Sequence, residues 1–176
     1  MNIFVLDLDP YVSARYHCDQ HVTKMILETA QLLSTEAHRL GVAHRDSYKP
    51  THQNHPCTLW LRNGPMPAHW LHNLICGLSM EHRKRFGTAH KSEWIGRKAA
   101  AKIWDYYRYI PKADKYIIEQ ASELDFALAM PDEFKTTDPV ESYREYYKAK
   151  NLQWQVDSKK AMRYTNTDRP DWLVLP

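Results

Sequence analysis

The sequence predicts a mainly α-helical, compact single-domain bundle of about five helices, with a short N-terminal strand and an extended aromatic C-terminal tail. Three observations carry this prediction. Apolar residues recur at spacings of three and four along several segments, which is the period of an amphipathic helix. Asp-Pro pairs and glycines stand where helices are expected to begin and end. The 176 residues contain no internal repeat, low-complexity stretch or linker, so residues 1–176 are expected to form one domain.

The N-terminal part opens with a short apolar run and continues into the clearest helix of the chain. Residues 3–6, Ile-Phe-Val-Leu, are too few for a helix and are predicted to form one strand. Asp9 followed by Pro10 is a helix start signal, an N-cap and a proline at the first helical position. From about residue 16 to residue 40 the apolar residues follow the helical period, and Gly41 ends the helix.

Four more helices are expected after an irregular connection. Residues 42–66 hold three prolines and a glycine, and only residues 57–62 are predicted to form a short helical turn. The further helices are predicted at about 67–86 (ended by Gly87), from a cap at Thr88 or Ser92 to 109, at 115–130, and from Asp138-Pro139 to 151. The tail is expected to be extended.

The overall composition excludes several classes of protein. Hydrophobic residues make up 43% and charged residues 26%, which fits neither a disordered chain nor a membrane protein. No run of about 18 apolar residues is present, and the N-terminus lacks the plan of a signal peptide. The three cysteines form no CxxC pair, which is typical of a reducing compartment. A cytoplasmic protein without a membrane partner is therefore expected.

The net charge of +3 hides a strong segregation of charge along the chain. Residues 81–115 carry ten basic and four acidic residues, whereas residues 116–142 carry one basic and seven acidic residues. Because charges act over about one Debye length of 8–10 Å, the local excess matters more than the sum. The basic stretch is the best candidate for a phosphate-facing surface, although an ordinary solvated helix face has the same pattern. The candidate DNA contacts in it are Arg83, Lys84, Arg85, Lys91, Arg97 and Lys98.

A polar stripe runs beside the apolar stripe of the first long helix. Its members, spaced by three or four residues, are His17, His21, Lys24, Glu28, Gln31, Thr35 and His38. An imidazole, an amine and a carboxylate thus lie within two turns at His21, Lys24 and Glu28. Such groups are suited to act as positioner, nucleophile or proton donor, and general base. A solvated face with an ordinary Lys24–Glu28 ion pair is the alternative.

Two histidines of this stripe also have the spacing of metal ligands. His17 and His21 are four residues apart, and a third ligand would have to come from elsewhere, such as His52 or His55. Neither an HExxH motif nor a cysteine cluster supports a metal site. We therefore predict no metal and no other cofactor.

Three stretches resemble one family of DNA repair enzymes. Asp19-Gln20-His21, with Glu28 seven residues after the histidine, resembles the bacteriophage-type pyrimidine-dimer DNA glycosylases, also called endonuclease V. Residues 70–87, which end in Glu-His-Arg-Lys-Arg-Phe-Gly, are similar to the long middle helix of that family with its basic last turn. Arg169-Pro-Asp-Trp172 resembles an Arg-Pro-x-Trp near the C-terminus of the family. The order is the same, and the pieces cover about a third of the chain.

The resemblance implies a compact helical fold and a DNA N-glycosylase with β-elimination (lyase) activity. In the implied mechanism an amine attacks C1′ of the sugar and forms a Schiff base, while a carboxylate stabilises charge and transfers protons. This maps Glu28 to the catalytic carboxylate and His21 to a positioning role near the DNA backbone. Arg169 and Trp172 would lie in the segment that holds damaged DNA. The implied partner is double-stranded DNA with a damaged or modified pyrimidine, with the target nucleotide exposed from the duplex. We expect the protein to be a monomer.

The chain departs from the family at the nucleophile. The family uses the amine that is exposed when the initiator Met is removed before a small residue, whereas Asn2 follows Met1 here. The amine is then Lys24 or that of Met1, or there is no Schiff-base chemistry. Leu27 and Gln31 stand where the family has arginines, and about 40 extra residues precede the tail. A group-transfer enzyme acting on hypermodified pyrimidines in phage DNA, in the host cytoplasm, and a non-catalytic helical DNA-binding module therefore stay as alternatives.

Overall fold

The fold is mainly helical, as predicted. The computed structural model describes residues 1–109, 124–158 and 161–173. The helices of these ranges are α1 (Pro10–Tyr16), α2 (Asp19–Arg39), α3 (Pro56–Trp60), α4 (Pro65–Phe86), α5 (Ser92–Arg108) and α6 (Pro139–Ser158). Single 3-10 turns are formed by Leu61–Asn63, Asp132–Phe134 and Asp171–Leu173.

The core lies between three long helices. Helices α2, α4 and α5 pack against one another, and α1 lies across α4. At Gly96 of α5 an added Cβ would collide with Ile75 Cδ1 and would lie 3.1 Å from Ala30 Cα, so this glycine permits the close approach of the three helices. The buried apolar side chains at helical spacing are Met25, Ile26, Leu32 and Leu33 of α2, Leu71, Leu74, Ile75 and Leu78 of α4, and Ala99 and Ile103 of α5.

The predicted N-terminal strand is wrong, and the described part of the chain contains no strand. Residues 3–6 are buried but irregular, and Phe4 adopts a left-handed backbone with φ of 37°. Three of their amides have side-chain acceptors: those of Ile3 and Phe4 donate to Asn2 Oδ1 (2.7 and 3.2 Å), and that of Leu6 donates to Ser13 Oγ (3.1 Å). With side chains as acceptors, this buried segment needs no partner strand.

The predicted start signal at Asp9-Pro10 begins a separate helix, α1, and the long helix predicted at about 16–40 is confirmed as α2 but begins only at Asp19. Helix α1 ends at Tyr16, and His17 has an extended backbone with φ of −67° and ψ of 136°. Cys18 is the N-cap of α2, which runs to Arg39 and is followed by Gly41 with φ of 72°. His17 therefore does not lie on the same helix as His21, and the polar stripe of α2 begins at His21.

The other predicted helices are confirmed where the structure describes them. The proline-rich connection contains the predicted short turn as α3, and the helices predicted at 67–86, 92–109 and 138–151 correspond to α4, α5 and α6. The predicted helix at 115–130 is wrong for residues 124–130, which are irregular, and its earlier part lies outside the described residues. The tail is irregular over 161–170 and then forms a 3-10 turn instead of remaining extended, because Leu173 N–H donates back to Pro170 O. None of the helices described is long and apolar enough to cross a membrane.

Candidate active site

Glu28 lies on α2, where a buried carboxylate meets an exposed amine. Only 9% of Glu28 is exposed. Lys24, one turn earlier, places Nζ 3.4 Å from Glu28 Oε1 while 62% of its side chain is exposed. The i,i+4 spacing of the sequence therefore gives the predicted contact. The carboxylate is shielded from water, and the amine of Lys24 reaches solvent.

The first two residues of the chain also contact Glu28. The backbone N–H of Asn2 donates to Glu28 Oε2 (2.9 Å), and the amine of Met1 lies 3.9 Å from Glu28 Oε1. The Asn2 side chain fixes this position, since its Nδ2 donates to the carbonyl of Ala129 (2.9 Å). Nothing in the sequence pointed to Asn2, because its contacts come from residues far along the chain. The structure thus brings together Glu28, Lys24 and Met1 from the predicted catalytic set.

His21, the fourth predicted catalytic residue, is part of an aromatic cluster in the interior. Only 3% of it is exposed, and its ring is stacked on Phe4 with a centroid distance of 4.7 Å. Tyr147 and Trp154 pack against it at 5.0 and 5.1 Å. Burial, followed by the nearby His17, holds the pKa of His21 well below its usual value, so the ring is neutral. His21 therefore lies in the interior of the protein, packed against Phe4 of the N-terminal segment.

His17 is also buried and neutral. Its Nδ1 donates to the carbonyl of Ser13 (2.7 Å), and burial lowers its pKa to about 4. The Ser13 hydrogen bond opposes this shift, and Arg85 adds to it. Within the described ranges no three His, Cys, Asp or Glu side chains are grouped so that they could hold a metal ion.

The buried His17 makes the stability of the protein depend on pH. Because its pKa falls from 6.5 when exposed to about 4 in the fold, the unfolded chain binds the proton more tightly. The stability that this neutral ring contributes is complete above about pH 6.5 and is lost as the pH falls towards 4. We expect the free energy of unfolding to fall by about 2 kcal/mol from this group between about pH 7 and about pH 4.5. Urea unfolding at both pH values measures it, and a His17→Gln variant should show the smaller difference; an equal difference would contradict this assignment.

The candidate DNA contacts of the basic stretch differ in how far they are exposed and paired. Lys84 and Lys91 are exposed. Arg83 and Arg97 are exposed but both pair with Glu93, which lies at the start of α5. Lys98 is half-buried. Its Nζ lies 3.6 Å from the centre of the Trp94 ring and 3.3 Å from Nε2 of His44.

Arg85 differs from its neighbours because its side chain has no exposed surface. The guanidinium donates to Glu81 Oε2 from Nη2 (2.8 Å) and to Asp19 Oδ1 from Nη1 (3.2 Å). It also donates to the carbonyls of Arg15 (3.0 Å) and His17 (2.7 Å) at the end of α1. Arg85 therefore joins α4 to the junction of α1 and α2 and does not reach a DNA surface.

The aromatic tail is fixed to the N-terminal part of the chain. Asp19 accepts hydrogen bonds from Thr165, including one of 2.7 Å from its Oγ1. Trp172 is half-buried, with the guanidinium of Arg144 5.1 Å from its ring centre and Tyr16 and Tyr147 edge-on to it. Arg169 is exposed and donates to Met162 O (3.3 Å). Of the two predicted tail contacts, Arg169 faces solvent, and Trp172 is largely engaged within the protein.

The fold and the site define a small helical protein in which a shielded carboxylate lies beside amines, an arrangement suited to enzymes that form a Schiff base with their substrate. The family model of pyrimidine dimer DNA glycosylases matches residues 1–96. The chain belongs to this family, which makes DNA its class of partner and a DNA glycosylase its class of enzyme. No curated protein and no solved structure matches the chain. The matched range includes Met1, Lys24 and Glu28, but not Arg97, Lys98 or the tail.

Proposed function

We propose that the protein is a DNA N-glycosylase with abasic-site lyase activity, acting on a damaged or modified pyrimidine in double-stranded DNA. The observation that carries this proposal is the group around Glu28. One shielded carboxylate has the amine of Lys24 at 3.4 Å and that of Met1 at 3.9 Å. Membership of the glycosylase family supports the reaction class and the DNA partner.

The chemistry requires an amine and a group that exchanges protons with it. The amine nitrogen bonds to C1′ of the sugar, and the bond from C1′ to the base breaks, so that the base leaves with the electron pair and takes a proton from water. Glu28 accepts the proton that the attacking nitrogen loses and returns it to the ring oxygen when the sugar opens to an iminium ion. The hydroxide left from that water then takes a proton from C2′, and the C3′–O bond breaks, so that the 3′ phosphate leaves with the electron pair by β-elimination. A carboxylate that is shielded from water and close to the amine is suited to both transfers.

The DNA backbone is expected to bind the exposed cations of the matched region. Lys84 and Lys91 are free to contact phosphates, and Arg83 has to share its charge with Glu93. Phosphate contacts of this kind position the duplex and help to offset the few kcal/mol needed to expose a nucleotide. Binding should therefore weaken steeply as the salt concentration rises.

Lys24 is expected to be the nucleophile, because its amine is both the nearer one to Glu28 and largely exposed. Incubation with abasic-site DNA and borohydride should give a covalent adduct that mass spectrometry of the peptides locates at residue 24. Lys24→Ala should lower the trapping rate by at least about 100-fold. Lys49→Ala, at an exposed lysine of the connecting loop, is the matched control and should trap at the normal rate.

Other outcomes of this experiment have distinct meanings. An adduct at residue 1 with normal trapping by Lys24→Ala would move the nucleophile to the terminal amine and leave the role of Glu28 in place. The absence of any adduct, with an intact bond between sugar and base and added mass on the base, would instead indicate a group-transfer enzyme. Salt-dependent binding without turnover on any substrate would indicate a DNA-binding module.

A further inference from the structure

A small polar cavity lies beside α2, two helical turns after the group around Glu28. Thr35 of α2 lines it and comes seven residues after Glu28, so the two residues lie on the same face of the helix, about 10 Å apart along its axis. The cavity has a volume of about 180 Å³. Its walls come from α2, from the loop before α3, and from α3 with the 3-10 turn that follows it, and they include Thr35, Glu36, Arg39, Gln53, Thr58 and Arg62.

The loop that forms one wall of this cavity is held in place by Thr35. Its Oγ1 accepts the backbone N–H of Thr51 (3.1 Å) and donates to the carbonyl of Gln31 (2.8 Å), with that of Thr51 at 3.3 Å. The single proton of the Thr35 hydroxyl is therefore used within the protein. The chain itself thus fixes this wall, and a ligand has to find its donors at other residues of the cavity.

Arginine supplies the positive charge of the cavity. Glu36 is fully buried and paired with Arg39, whose Nε donates to Glu36 Oε2 (2.8 Å). Arg62 is exposed and donates from Nη2 to the carbonyl of Gln53 (2.9 Å), which fixes the guanidinium without neutralising its charge. With two arginines against one glutamate, and with histidine neutral, the described lining residues have a net charge of +1. An anion is therefore the ligand that this charge favours.

Thr58 adds a hydroxyl that the fold does not use. Only 1% of the residue is exposed, and its Oγ1 has no hydrogen-bond partner among the described residues. A buried hydroxyl without a partner is unfavourable, so a ligand that accepts its proton would be stabilised. Thr58 and Arg62 are four residues apart in the helical segment that α3 and the next 3-10 turn form, which places both on one face. A charged donor and a neutral donor thus lie together in the cavity wall.

We propose that this cavity binds one phosphate group of the DNA strand, held by the guanidinium of Arg62 and the hydroxyl of Thr58. A guanidinium and a hydroxyl donor match the oxygens of a phosphate, and a cavity of this size accommodates one such group. The inference rests on the proposed function, which places the target sugar at Glu28. Because the phosphates of one strand follow each other about every 3.4 Å along the duplex axis, the bound phosphate is expected about three nucleotides from the target.

Uncharged linkages in the DNA test this contact. In a set of abasic-site duplexes, a methylphosphonate replaces one phosphate at a time. At one linkage about three nucleotides from the abasic site, the replacement should weaken binding by the unaltered protein about tenfold, the worth of a charge-assisted hydrogen bond, but should not weaken binding by Arg62→Gln further. Glutamine keeps an N–H donor for the carbonyl of Gln53 but carries no charge. Arg45→Gln, at an exposed arginine of the connecting loop, is the matched control and should lose affinity at that linkage like the unaltered protein. If the loss depends on Arg62 at none of the linkages, the proposal is wrong.

Thr58→Val separates binding from folding. Valine has the shape of threonine, and the change removes a hydroxyl without a partner, so the variant should unfold at the same or a higher urea concentration. Its affinity for the abasic-site duplex should nevertheless fall up to about tenfold. Thr29→Val is the matched control, because the Thr29 hydroxyl is also buried and unpaired but the residue does not line the cavity. Normal affinity in Thr58→Val would overturn the proposal.

Two further results distinguish the source of the phosphate and the fate of the proposed function. Calorimetric binding of inorganic phosphate that Arg62→Gln abolishes, without any linkage in DNA that depends on Arg62, would show a site for a free phosphate and overturn the proposal. If one linkage depends on Arg62 but borohydride traps no adduct, the phosphate site stands and the proposed Schiff-base chemistry fails. An adduct at residue 24 without such a linkage would have the opposite meaning.

Discussion

Glu28→Gln is expected to lower the single-turnover rate of strand cleavage at an abasic site by about 10²–10⁴-fold, the range typical of a lost general base. Glutamine has the shape of glutamate and still offers an oxygen to the N–H of Asn2, which lies 2.9 Å from the carboxylate. It cannot accept a proton from the attacking amine or return one to the sugar oxygen. The fold and the affinity for DNA should therefore be kept while the chemistry is lost.

The measurement is a rapid-quench time course at saturating DNA, together with the Kd of each protein for the same duplex. Glu133→Gln is the control, because it removes a carboxylate of similar size from an exposed 3-10 turn. Its rate and affinity should be unchanged. Cleavage by Glu28→Gln at the normal rate would show that Glu28 is not the catalytic carboxylate.

Arg85→Met is expected to destabilise the protein by about 3–5 kcal/mol, the usual cost of removing one partner of a buried ion pair. The variant leaves the carboxylates of Asp19 and Glu81 buried without their cation, and both are at most 6% exposed. It also leaves the carbonyls of Arg15 and His17 without their donor. Urea unfolding followed by circular dichroism measures the loss.

Lys84→Met is the matched control for this change. Lys84 precedes Arg85 directly but is exposed, so its replacement should change stability by less than about 0.5 kcal/mol and should instead weaken DNA binding in a salt-dependent way. Comparison of the two variants thus distinguishes a cation that stabilises the fold from one that contacts DNA. An equally small loss in Arg85→Met would contradict the burial of this side chain.

The parts of the fold that depend on local signals could be read from the sequence. The bounds of α4 and α5 follow from the apolar period, from Pro65 and Pro67, and from Gly87 at the end of α4. The break between α1 and α2 could not be predicted, because distant residues stabilise it. Cys18 N–H donates to the hydroxyl of Tyr147 (2.8 Å), and Asp19 N–H donates to the carbonyl of Arg163 (2.8 Å).

In the candidate site, too, contacts within one helix could be predicted from the sequence, whereas contacts between distant residues could not. The contact between Lys24 and Glu28 depends on helical spacing alone, so the sequence predicted it. Asn2 reaches the site because the N-terminal segment packs against α2, and the periodicity of the sequence does not predict this contact. In the basic stretch, by contrast, the sequence predicted more DNA contacts than the structure leaves exposed. Composition marks Arg83 to Arg85 as one cluster, but it cannot show which of these side chains the packing of α1 against α4 buries.

The hydrogen bond from Asn2 to Ala129 has a consequence for the order in which a nascent chain gains its function. The ribosome makes Glu28 and the amines of Met1 and Lys24 long before it makes residue 129. Tyr147 follows later still, and it packs on the ring of His21. Until residues 129 and 147 have been made, the Asn2 side chain lacks its hydrogen bond to Ala129, and the Phe4 ring lacks its contact with Tyr147. A ribosome-bound chain that has emerged only as far as residue 96 should therefore be unable to process DNA, although it contains the whole family-matched region. The group around Glu28, at the beginning of the chain, is therefore expected to be complete only after residues 129 and 147 have been made.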